Sequence, residues 1–401
     1  MASRLFAAPL LLLLGYGHAQ PGQQSTCPVP TDEHMAVEGG APIVTLNLKR
    51  INGTMRPARL VFDSGGGAII LDEGLPNDLG LEPTGEPITD GGVRFVPTVP
   101  PVAQFGSTVV VLSSSKAFIH MGKNSFDTRE RVEGMLPGKA LEPYQVVLDY
   151  PKQRYTIAPS GCVRHRGEQV PSPFLAASGH PGIGVTVDGA KYGLLLDTGS
   201  RATLARRDLL ELLSAANPSW PHSNGASGTA DMPGSDGREF LLRVPELVWG
   251  IFHIRNVLFV SRPDETYSPD HFETPEPIVG ALGGNVLKNF RIEIDYPNGQ
   301  TYLEQSADDA GRDMNSVGLV LDVDAANKLV VRSVSTTAAA LTKRSIRPGD
   351  EILEIDGKRE SPWTIIDASN ALAGAVGERK KLVIRRGGKS LSTSVAVATL
   401  L

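Results

Sequence analysis

Two features are scarce in this 401-residue chain: cysteine, with two residues, and aromatics, at 6%. Two cysteines exclude a disulfide-dense small scaffold and a cysteine-rich zinc module. The eight histidines are scattered, and neither His-Glu-x-x-His nor paired Cys-x-x-Cys spacing occurs, so no metal or cofactor is expected. Gly-x-Ser-x-Gly and a phosphate-cradling glycine loop are also missing, which removes the nucleophile elbow and P-loop chemistry. A net charge of −5 offers no electrostatic footing for nucleic acid. Long apolar runs are absent except from Leu5 to Leu14, which is too short to span a bilayer needing about 20 residues. Preceded by Arg4 and followed by Gly17-His18-Ala19, that run reads as a cleaved secretory signal over residues 1–19. The chain is therefore expected to be exported, periplasmic or extracellular, with no integral membrane segment after cleavage.

Glycine and proline, by contrast, are plentiful: 43 and 30 residues, above average shares of about 7% and 5%. Many short strands and turns follow, and the fold class is mainly β. Helical spacing is clearest over residues 208–216, with Asp208 as the expected cap. Asp188-Gly189, flanked by apolar runs, predicts a hairpin turn.

The most informative content is a repeat. Leu60-Val61-Phe62-Asp63-Ser64-Gly65 returns as Leu194-Leu195-Leu196-Asp197-Thr198-Gly199. A second element repeats in step: Val132-Glu133-Gly134-Met135-Leu136-Pro137-Gly138, then Tyr144 to Pro151, matches Ile278-Val279-Gly280-Ala281-Leu282-Gly283-Gly284, then Phe290 to Pro297. Each half reads as an apolar strand, an Asp loop, a Gly turn, an alternating strand and an Asp-Tyr-Pro turn, as expected of a duplicated β lobe. Attack of water on an amide needs one group to take a proton and another to give one, and two close carboxylates sharing a proton do both. The hydroxyl residue can bond the opposite loop, and glycine lets two backbones approach.

These residues resemble the retropepsin and pepsin superfamily of aspartic peptidases in its single-chain, two-lobe form, over roughly residues 36–304. The resemblance implies Asp63 and Asp197 as the catalytic pair, supported by Ser64, Gly65, Thr198 and Gly199. Gly134 and Gly280 take the place of a loop glycine packed beside each Asp, and Ser200 that of an extra hydroxyl orienting Asp197. Several positions depart from the pattern. Gly66 stands where Ser200 stands, so the dyad is expected to be asymmetric; Pro137 replaces the first of two glycines; Glu133 adds a charge beside the loop. Neither 84–107 nor 222–240 holds the Tyr of a substrate-covering flap, and the glycine-rich stretch from Asn224 to Gly237 reads either as that flap or as a surface loop.

Beyond a charged linker at 306–315, the run Arg347-Pro348-Gly349-Asp350 through Ile352 and Ile355 to Asp356-Gly357 resembles a PDZ domain over 316–401. The resemblance implies a groove between the strand at 318–322 and a helix at 364–372, where an extended peptide adds as a strand. Backbone amides near Val317, Gly318, Leu319 and Val320 would take a terminal carboxylate; the other reading is a domain that packs on the lobes and binds nothing. Cys27 and Cys162, in an exported chain, permit one disulfide tying the leading segment to the interlobe linker, with two free thiols as the alternative. The expected organisation is a first lobe at 28–160, a second at 161–305, the linker and the PDZ domain. The expected function is an exported aspartic endopeptidase without cofactor, acting on peptide or unfolded protein; the alternative is an inactive peptide-binding or scaffolding protein of the same fold.

Overall fold

In a computed structural model, the described residues are 27–90, 93–112, 115–121, 132–174, 179–224, 239–267, 276–311, 314–324, 326, 328–359 and 363–401. Residues 1–19, expected to be a signal, and residues 225–238 of the glycine-rich stretch lie outside them. Strands dominate throughout. Among the described residues no helix is long and apolar enough to cross a membrane.

The two halves repeat one strand plan. In the first, Ala41–Lys49 and Met55–Asp63 form a hairpin. Gly134–Pro137 then lies parallel to Met55–Asp63 and antiparallel to Ile69–Asp72. In the second, Gly182–Val187 and Ala190–Leu196 form the hairpin, while Ile278–Leu282 runs parallel to Ala190–Leu196 and antiparallel to Thr203–Arg206. The turn between the second pair carries φ of 51° at Asp188 and 74° at Gly189, the left-handed backbone that an Asp-Gly pair tolerates. Each Asp loop thus leaves the end of a strand flanked on both sides, where apolar residues on both faces are buried.

The other repeated strands, Tyr144–Asp149 and Phe290–Asp295, pair with each other, Gln145 opposite Asp295 and Asp149 opposite Arg291. They form the centre of a six-stranded sheet shared by both halves, ordered Glu33–His34, Arg154–Pro159, Tyr144–Asp149, Phe290–Asp295, Gln300–Gln305, Glu168–Pro171. One core runs through it from Phe62 and Tyr155 to Trp249 and Phe290. Each such buried side chain contributes about 1.5–3 kcal/mol. Cys27 and Cys162 form a disulfide. The helix expected from Asp208 spans Arg207–Ala216 with Arg206 at the cap position. Asp208 instead lies in the first turn, where its charge still suits the helix N-terminus.

The tail has its own core around Val317, Ile352, Ile355, Trp363 and Leu382. Five strands, Leu319–Val323, Leu329–Val334, Glu351–Ile355, Arg379–Arg386 and Lys389–Ala396, are neighbours in that order. Thr364 caps the helix Ile365–Leu372 by accepting from the Asp367 N–H. The Arg-Pro-Gly-Asp run is a closed turn: the Asp350 carboxylate accepts from the Arg347 N–H and is clamped in bidentate fashion by Arg386. Within the expected linker 306–315, the described residues make contacts with the second lobe. Asp308 and Ala310 bond the Arg255 backbone, and Met314 is buried with Leu400 against Leu241, Leu258 and Val260 of the second lobe.

Candidate active site

Asp63 and Asp197 end their strands in mirrored loops that interlock. The Ser64 N–H donates to Thr198 Oγ1 at 2.9 Å, and the Thr198 N–H donates to Ser64 Oγ at 3.0 Å. Each hydroxyl then donates across the interface, Ser64 to the Leu196 carbonyl and Thr198 to the Phe62 carbonyl. Both side chains are fully buried. Four reciprocal bonds with no solvent access fix one loop relative to the other.

The glycines set how close the loops come. A Cβ at Gly65 would lie 2.8 Å from Asp197 Cγ, and one at Gly199 would lie 2.3 Å from Asp63 Cγ. No side chain fits at either position. Gly65 donates to Asp63 Oδ1 at 2.9 Å and Gly199 to Asp197 Oδ1 at 3.0 Å, and the two carboxyl groups are hydrogen-bonded to each other. Burial first, then the charge of Asp197, holds Asp63 well above the ordinary carboxylate range. Burial raises Asp197 as well, against which the bond from Asp63, the Ser200 and Gly199 amides and the Arg262 charge favour its ionised form. A buried carboxyl pair of this kind shares one proton.

The asymmetry expected from Gly66 and Ser200 is present, carried by backbone amides. The Ser200 N–H bonds Asp197 Oδ1 at 3.0 Å, whereas the Ser200 hydroxyl donates to the Ala202 carbonyl at 2.7 Å. At the matching place the Gly66 N–H folds back on the Asp63 main-chain carbonyl. Gly134 and Gly280 serve strand crossings: a Cβ would meet the Ile70 carbonyl oxygen at 2.2 Å and that of Leu204 at 2.0 Å. The glycines touching the loops are the later ones, Gly138 against Ser64 and Gly283 and Gly284 against Ser200. Pro137 lies opposite Asp63 in the strand pair. Glu133 is neutralised by a bidentate pair with Arg56 at 2.9 and 2.6 Å.

Residues that sequence reasoning passed over surround the pair. Tyr150 and Tyr296, quoted only as parts of turns, are buried beneath the loops, and their hydroxyls have no hydrogen-bond partner among the described residues. The Tyr296 hydroxyl comes within 2.3 Å of where a Gly138 Cβ would stand. Burial, then the charge of the nearer aspartate, pushes both phenols far up. The Asp-Tyr-Pro repeat was the signal that could have found them. Tyr267, close to Asp197 and Arg262, carried no such signal.

In the tail, Leu319–Val323 is a terminal strand of its sheet, with the helix Ile365–Leu372 packed beside it. Gly318 has a φ of 79°. The Val317 N–H donates to the Leu372 carbonyl at 3.2 Å, so this amide is engaged within the domain. Val317, Leu319 and Val320 are buried. No group of three or more His, Cys, Asp or Glu suited to a metal occurs among the described residues.

Residues 343–386 match the family described as PDZ domain. No curated protein matches the chain by sequence. Among solved structures the chain is similar to an aspartic proteinase from Irpex lacteus, with a TM-score of 0.46 and 13% identity over 70% of this chain and 98% of that one. A photosystem II D1 C-terminal processing protease aligns with a TM-score of 0.20 and 22% identity, over 21% of this chain and 23% of its own. The fold is mainly β, with a PDZ domain in its C-terminal part.

Proposed function

We propose that the chain is an exported aspartic-type endopeptidase that hydrolyses peptide bonds with water activated between Asp63 and Asp197, and that its PDZ domain binds peptide segments. The observation that carries the reading is the hydrogen-bonded carboxyl pair held by the reciprocal Ser64 and Thr198 bonds. In the resting pair the proton sits on Asp63 and the charge on Asp197, which has the Ser200 amide and the Arg262 charge in its favour. Asp197 takes a proton from the bound water as its oxygen attacks the amide carbon, and Asp63 gives its proton to the carbonyl oxygen. Collapse of the tetrahedral adduct then protonates the leaving nitrogen and restores the pair, with no covalent enzyme intermediate.

The inactive-scaffold reading drew on Glu133, Pro137, Gly66 and the missing flap Tyr. The Arg56 pair neutralises Glu133. Pro137 and Gly66 leave the interlocking bonds in place. The stretch expected to serve as the flap lies almost wholly outside the described residues. The test is cleavage of an unfolded protein from acidic to neutral pH by the mature chain, Asp63→Asn and Asp197→Asn. Cleavage by the parent alone supports the dyad, whereas a folded parent that cleaves nothing would favour the peptide-binding protein.

A further inference from the structure

The tail sheet ends on an edge that is closed at its head and open along the rest. Leu319–Val323 is the terminal strand, and no strand among the described residues pairs with its outer side. At its head the chain itself takes the partner's place. Ser316 pairs in an antiparallel bridge with Ala373, just past the helix Ile365–Leu372. The Val317 N–H donates to the Leu372 carbonyl at 3.2 Å, and the Gly374 N–H donates to the Asn315 carbonyl at 3.3 Å. The Ser316 hydroxyl donates to the same Leu372 carbonyl at 3.3 Å.

The residues behind this head hold it in place. A Cβ on Gly318 would stand 2.6 Å from the Ala338 Cβ and 3.1 Å from Leu400 Cδ2, so the turn is packed against both. The Gly318 carbonyl accepts from the Ser335 N–H at 2.8 Å, and Thr337 Oγ1 donates to the Leu400 carbonyl at 3.0 Å. Leu400 is itself buried against the second lobe. Across the trans peptide from the Gly318 carbonyl, the Leu319 N–H points the opposite way, to the open edge. Of the two outward amides, that of Val317 is spent within the domain, and that of Leu319 faces no strand among the described residues. Capture of a carboxylate needs several backbone N–H groups converging on it. Here the place beside Leu319 is filled by the Leu372 carbonyl, an acceptor that repels an anion. An extended chain laid along Leu319–Val323 needs no such cluster, because its own amides and carbonyls pair one by one with the edge.

We infer that this edge takes interior segments of extended polypeptide, as an unfolded protein exposes them, and that a free C-terminal carboxylate adds nothing to their binding. The inference rests on the peptide-binding reading of the PDZ domain above and is independent of the dyad. Leu319 offers the first pairing amide, whereas Val317 belongs to the domain's own scaffold. An unfolded chain has one carboxyl terminus and many interior stretches, so an edge of this kind can engage a substrate along its length.

The test uses full-length Asp63→Asn, so that bound peptide is not cut, and a Val- and Thr-rich probe chosen for strand propensity. Fluorescence anisotropy compares the probe as the free acid, as the C-terminal amide, and set in the middle of a longer Gly/Ser chain. The three should bind within about twofold of one another. In amide 15N–1H spectra the Leu319 signal should move on titration with each form, and the Val317 amide should stay protected from hydrogen exchange with and without probe. A free acid that binds about tenfold or more tighter than the other two, or a Val317 amide that exchanges at the unprotected rate, would overturn the inference and leave the PDZ domain a peptide binder. Binding of none of the three would defeat the peptide-binding reading itself, and the inference with it.

Discussion

Because the Asp63 carboxyl is raised by burial and by Asp197, the folded state favours its proton. Such a group stabilises the fold below the unfolded carboxylate value of about 3.9, and the contribution is lost as pH rises through the folded value. At neutral pH the dyad is therefore a local liability. Asp63→Asn removes the ionisation and should raise the melting temperature of the lobes at pH 7 by a few degrees, on the order of 1 kcal/mol, with little gain near pH 3. Equal shifts at both pH values in a calorimetric scan would contradict the assigned direction. A related residue-scale expectation concerns Tyr296, whose buried hydroxyl has no partner among the described residues. Tyr296→Phe should be neutral or stabilising by about 1 kcal/mol in a denaturant titration, since an unsatisfied buried group costs about 1–3 kcal/mol.

Among the elements, those set by local chemistry were legible in the sequence. The Asp loops, the Asp188-Gly189 turn, the paired Asp-Tyr-Pro strands and the helix Ile365–Leu372 each carry their reason in adjacent residues. What stayed hidden depends on neighbours distant in the chain. Gly134 and Gly280 looked like loop glycines, yet the constraint on each is a carbonyl of a crossing strand. Ser200 was read through its hydroxyl, while the bond to Asp197 comes from its amide, which every residue type but proline offers. The disulfide was an open alternative, and it ties Cys27 to the interlobe linker across a separation of 135 residues. Cys27→Ser with Cys162→Ser should lower stability by about 2–5 kcal/mol, read as a drop in denaturant midpoint. A midpoint unchanged from the oxidised parent would show that the leading segment contributes nothing to holding the lobes.

At the scale of the molecule, the two halves share one central sheet and one core, so neither Asp loop is positioned by its own half alone. The tail joins them through Met314 and Leu400, buried against the second lobe, and through Thr336 bonding the Asn224 carbonyl at 3.3 Å. Within the linker expected at 306–315, Asp308 and Ala310 hold to the second lobe through backbone bonds to Arg255. Leu400→Ala should loosen this contact by about 2–5 kcal/mol and expose 306–315 to limited proteolysis. The dyad's interlocking bonds are remote in sequence from that contact, so a proteolysis pattern identical to the parent's would contradict the docking. The central claim is that Asp63 and Asp197 act as one unit, and the most direct measurement is single-turnover cleavage by Asp63→Asn, Asp197→Asn and the double variant. The account predicts that each single variant is as inactive as the double, because half a shared-proton pair has no function of its own. A single variant that keeps substantial activity, with the double losing it additively, would contradict the account.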